Sequence, residues 1–151
     1  MEITKKQILN RGIDNPQIIE EQNKKTGGKK LVEMVSELFH SETQVHMFHL
    51  QTKSQSSFAE HSALGGYYSE IGDKLDGLIE SYQGKYDIVK GYKSYPFEDY
   101  KNVDQLIKYF NDLANMITSK RDCCKDSYIQ NQIDEIETLI YSTLYKLRNL
   151  K

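Results

Sequence analysis

At 151 residues, with 28% charged residues and a formal net charge of -2, the chain is long enough for one hydrophobic core and short for two. Its near-neutral balance and sequence pI of 6.1 supply no bulk attraction for nucleic acid, so DNA binding is not supported by charge. Met1 to Asn10 is too polar for a signal peptide, and no apolar run nears the roughly 20 residues that span a bilayer, so a soluble, cytoplasmic protein without a membrane segment is expected.

The elements read as helices throughout, because only two prolines interrupt the chain and no run of alternating β-branched residues occurs. Thr4 is placed to cap a short helix through Leu9 that ends at Gly12, and Asn15-Pro16 supplies an N-cap followed by proline at the first helical position. This second piece is expected to stop near Gly27-Gly28. The two pieces carry Lys5, Lys6, Lys24 and Lys25, with Lys29 and Lys30 directly after them, and residues 1–28 read as a helical N-terminal arm appended to a body over 29–151.

In the body, Leu31, Met34, Val35, Leu38, Val45 and His49 recur at the spacing of a buried helical stripe, which defines a first long helix. Ser57 to Glu60 has capping-box spacing, so a second helix is predicted to open near Phe58, with Leu64, Tyr68, Ile71, Leu75, Leu78 and Tyr82 facing inward and the pattern fading at Gly84. Residues 83–100, rich in tyrosine and glycine, are too long for a tight turn and read as a crossover. A third helix follows over Val103 to Ile117, opened by Asn102 with Gln105, and a fourth over Ile133 to Leu147. Two helical hairpins joined by one long connection describe an all-α, ferritin-like four-helix bundle. The adjacent Cys123 and Cys124 suit neither a disulfide framework nor a zinc knuckle and read as reduced thiols in a turn.

Chemistry concentrates in four side chains on the first two body helices, His49, His61, Asp76 and Glu80, since two imidazoles and two carboxylates are a plausible donor set for iron. At about 100° per residue, with Leu64 marking the core direction, Asp76 lies about 120° and Glu80 about 160° away, whereas His61 sits about 60° off on the flank. The carboxylates therefore turn out of their own bundle. One metal centre using all four is easiest to build between subunits, imidazoles from one copy meeting carboxylates from another. His46 is an auxiliary candidate, and His40 reads as exposed.

The segment His46-Met47-Phe48-His49-Leu50, then Phe58 and His61, then Asp76 and Glu80, covers about a quarter of the chain and resembles the signature of Dps, the small ferritin-like proteins of starved bacterial cells. That resemblance implies iron bound between two-fold related subunits by His49, His61, Asp76 and Glu80, with His46 nearby. It further implies Fe(II) oxidation by peroxide or dioxygen and a homo-oligomer, usually a hollow dodecamer. The wording "FHLQTKS" and "ESYQGKY" is also similar to uncharacterised proteins of tailed bacteriophages, which would suit a non-enzymatic, virion-associated assembly role. Leu50 stands where the Dps pattern has tryptophan, and Gly65, one turn after His61, where many members have a further acid.

Overall fold

The computed structural model describes residues 15–53 and 58–151, and over these residues it contains helices and no strand. The helices are α1 (Pro16–Gln51), α2 (Phe58–Lys85), α3 (Val103–Lys120) and α4 (Ser127–Asn149), with a 3-10 turn at Arg121–Cys123 before the last. The expected Thr4–Leu9 helix and the Ser57 half of the capping box lie outside the described residues. None of the described helices is long and apolar enough to cross a membrane.

Helix starts follow local chemistry. Asn15 Oδ1 accepts the Gln17 amide at 3.0 Å and Pro16 occupies the first helical position, where its missing N–H costs nothing. At α3, Asn102 Oδ1 accepts the Gln105 amide at 2.9 Å while Gln105 reaches back to the Lys101 amide at 2.7 Å, so two free donors are satisfied together.

Helix α1 differs from expectation. It does not stop at Gly27-Gly28 but continues unbroken across the expected boundary between arm and body, for 36 residues in all. The reason is packing: a Cβ at Gly27 would lie 2.3 Å from the Cys123 carbonyl oxygen, so the glycine lets the turn's backbone rest on the helix. Lys30 and Asp122 pair beside this contact at 2.6 Å.

The four helices enclose one core, in which α1 packs against α2, and α4 against both α2 and α3. Leu31, Leu38 and Phe48 from α1 meet Leu64, Tyr67, Ile71 and Leu75 from α2, Leu106 and Phe110 from α3, and Ile133, Ile140 and Leu144 from α4. Two assignments shift by a single residue. Phe48 rather than His49 faces the core, and Tyr67 rather than Tyr68 is fully buried. Burial raises the Tyr67 pKa, and its hydroxyl finds a partner in Ser41 Oγ at 2.7 Å. Because that serine already donates to the Leu38 carbonyl, the tyrosine is the donor of the pair.

Residues 86–102 connect α2 to α3 without regular secondary structure and lie along α1. Side chains of α1 hold this strap by its main chain. Ser36 Oγ accepts the Lys93 amide, Gln44 bonds both the N–H and the C=O of Glu98, and Gln51 accepts the Tyr100 amide. His40 is not exposed as expected but half-buried beneath the strap, stacked on Phe97 at 4.6 Å and edge-on to Tyr95.

Candidate functional site

The C-terminal end of α1 and the N-terminal turn of α2 bring His49 and His61 face to face, with ring centroids 3.6 Å apart and planes 25° from parallel. Each ring is tied to the other's backbone. His49 Nδ1 lies 2.8 Å from the His61 carbonyl oxygen, and His61 Nδ1 lies 3.0 Å from the His49 carbonyl oxygen. A carbonyl only accepts, so both Nδ1 atoms carry hydrogen, and a neutral imidazole so bound keeps its lone pair on Nε2. Thr52 reinforces the lock, donating to the His49 carbonyl at 2.9 Å and accepting from His61 Nδ1 at 3.0 Å. Such bonding fixes the tautomer and orientation of metal-binding histidines.

Around this pair the chain supplies aromatic support. His46 is exposed, stacks on Tyr68 at 4.1 Å and lies 6.2 Å from the His49 ring, and Tyr68 is edge-on to His49 at 5.2 Å. Glu60, next to His61, accepts from the Tyr100 hydroxyl at 2.6 Å and so ties the strap to this end; burial first, and then that bond, push Tyr100 up to about 12. Leu50 and Phe58, close in sequence to the two histidines, stand out into solvent, 69% and 74% exposed.

Gly65 has a specific part here. A Cβ at that position would come 3.3 Å from Cε1 and 3.5 Å from Nδ1 of His49, so the imidazole occupies the space over this turn of α2. Any side chain there would press on the ring from its first carbon onward.

Asp76 and Glu80 are exposed, as their helical angles required. They do not join the imidazoles within one copy: 15 and 19 residues beyond His61 on the same helix, they stand roughly 22 and 28 Å along its axis. Among the described residues no cluster of three or more histidine, cysteine, aspartate or glutamate side chains is arranged to hold a metal. The structure thus joins His49 and His61, sets His46 beside them and leaves the two carboxylates on a separate surface. Sequence reasoning missed Thr52 and Tyr68. A threonine directly past the end of α1, three residues after His49, was the available signal for the first; the second was hidden by its place in an assumed core stripe.

The chain belongs to the DUF5856 family, a family of unknown function whose model matches residues 49–147. That span contains His49, His61, Asp76 and Glu80 and begins just after His46. No curated protein and no solved structure matches the chain.

Proposed function

We propose that this chain is a ferritin-like bundle of the Dps kind that binds ferrous iron between two copies and oxidises it, with His49 and His61 of one copy facing Asp76 and Glu80 of the other. The observation that carries this reading is the reciprocal tie between the two imidazoles, which commits both Nδ1 atoms to carbonyls and leaves two Nε2 donors at the surface. Exposed carboxylates one turn apart on α2 complement that half-site, and carboxylate oxygen suits the harder ferric product as imidazole suits the ferrous ion. The solvent-exposed Leu50 and Phe58 suit a surface covered by a second copy. Iron is here the substrate: Fe(II) gives up one electron to dioxygen or peroxide, and the ferric product is kept inside a cytoplasmic homo-oligomer, for which a dodecameric cage is the model.

A complementation experiment tests the site. Anaerobically supplied Fe(II) should be oxidised at least about tenfold faster by the wild type than by His61→Ala or Asp76→Ala alone. Mixing and reassembling the two single variants should recover about a quarter of the wild-type rate, because half of random two-fold pairs are mixed and each rebuilds one of two sites. Wild-type rates no faster than those of the variants would exclude the enzyme. Loss in the single variants without recovery on mixing would exclude the shared site.

The second reading is a non-enzymatic assembly or virion-associated protein that keeps the bundle. Gly65 favours it, since the His49 ring fills the space that a further acidic ligand would need. Light scattering combined with the oxidation assay separates the two: a large particle without catalysed oxidation supports the scaffold.

A further inference from the structure

At the opposite end of the bundle, the 3-10 turn sets Cys123 and Cys124 side by side. Both thiols are free, and both residues line a cavity of about 510 Å³ between α1, the C-terminal end of α2 and the turn, with Gly27, Lys30, Tyr82 and Tyr86 among its walls. The neighbouring thiols act on each other: Cys124 lowers the Cys123 pKa against the opposing effect of burial, and Cys123, with burial, raises that of Cys124.

The backbone under the pair is held from two sides. Gly27 lets α1 seat directly on the Cys123 carbonyl. From α4, the Gln130 amide nitrogen donates to the carbonyls of both Arg121 and Cys124 at 2.6 Å, while its oxygen accepts from the Arg121 guanidinium at 3.1 and 3.3 Å. Arg121 is in turn anchored to Asp134 at 2.5 Å and Glu137 at 2.7 Å. A tethered turn whose two adjacent cysteines both line one cavity needs little reorganisation to engage a single centre through both.

Donor chemistry narrows the ligand. Thiolate sulfur selects soft, thiophilic centres. The described residues supply two sulfurs and no three-residue ligand cluster, which does not fit the four-ligand shell of structural zinc but does fit a centre satisfied by two sulfurs.

We propose that Cys123 and Cys124 form a preorganised vicinal dithiol that captures trivalent, monosubstituted arsenicals and similarly thiophilic centres in this cavity. The step is a condensation. Two S–H bonds break, two As–S bonds form, and the arsenical oxygen leaves as water with both thiol protons; arsenic stays trivalent and no oxidant is consumed. Cys123, whose thiolate is favoured by its neighbour, attacks first, and Cys124 closes the ring as its proton departs with the oxygen.

Phenylarsine oxide added to the full-length folded protein in a phosphine reductant tests this, read by intact mass and by mapping of cysteines left open to iodoacetamide. We expect a one-to-one adduct that protects Cys123 and Cys124 together, survives excess monothiol and is released by 2,3-dimercaptopropanol. Cys123→Ser or Cys124→Ser should weaken capture about a hundredfold, since the second thiol then no longer acts intramolecularly. Adduct formation only after denaturation, stripping by monothiol as readily as by the dithiol, or protection of one cysteine alone would each overturn the proposal. The mapping uses wild-type protein, so it decides the matter even where a serine variant does not fold.

Discussion

Two glycine pairs sit inside helices at opposite ends of this bundle, and they are there for different neighbours. At Gly27 an added Cβ meets the carbonyl of Cys123 at 2.3 Å, so backbone lies against backbone, while its neighbour Gly28 faces the Tyr82 hydroxyl at 3.3 Å. At Gly65-Gly66 the neighbours are the His49 ring at 3.3 Å and the Lys146 ammonium at 3.8 Å, both of them side chains. Neither pair ends a helix. Each marks where another part of the molecule approaches, and what approaches decides how much a side chain would cost, because a main-chain carbonyl cannot rotate away whereas a ring or a lysine can.

Substitutions can break or sharpen that contrast, the largest effect first. Gly27→Ala should destabilise the fold by about 1–2 kcal/mol net, the overpacking cost exceeding the roughly 1 kcal/mol of helix propensity gained. Urea unfolding with an unchanged m-value would measure it, and a neutral result would mean that the turn is not seated on α1. Gly65→Ala and Gly66→Ala form the matched pair at the other end. Gly66→Ala should gain about 0.5–1 kcal/mol, whereas Gly65→Ala should gain less and shift the His49 imidazole resonances by moving the ring off the His61 carbonyl. Equal gains with unperturbed imidazole signals would show that Gly65 makes no room for His49.

The smallest expected effect lies between the two ends, under the strap. Burial lowers the His40 pKa, against the raising influence of Glu98. The folded state then binds this proton less readily than the unfolded chain, so His40 costs no stability above its ordinary value of about 6.5. Below that value its contribution declines until the pH passes the folded pKa. A melting-temperature series from pH 8 to pH 5 should show this decline in the wild type and a shallower one in His40→Phe.

Much of the helical frame was legible because its signals are local. Asn15-Pro16 and Asn102 with Gln105 cap helices where expected, and α2 is helical from Phe58 on among the described residues. The outward placement of Asp76 and Glu80 followed from angle alone. What stayed hidden depended on partners remote in sequence. Gly27 reads as a stop until Cys123 is known to rest on it, and nothing near Gln44 announces a bond to Glu98. The exchange of His49 for Phe48 in the core has another cause. Adjacent residues differ by about 100° around a helix, and an apolar stripe with Phe48 beside His49 does not say which one points inward. The pairing of His49 with His61 was within reach of the sequence, but the bonds that orient them were not, because they run to main-chain oxygens.

The strap over residues 86–102 has an evolutionary consequence. Its attachments at Lys93, Glu98 and Tyr100 use main-chain amides, and side chains add to them where Lys93 pairs with Glu33, Asp99 accepts from Gln51 and Phe97 stacks on His40. Proline alone, lacking the N–H, is barred at those three places. Strap positions whose side chains touch neither α1 nor α2 can therefore drift toward new charges or shapes while the main-chain ties keep the helices beneath in register, which lets the exterior of this connection change without loosening it.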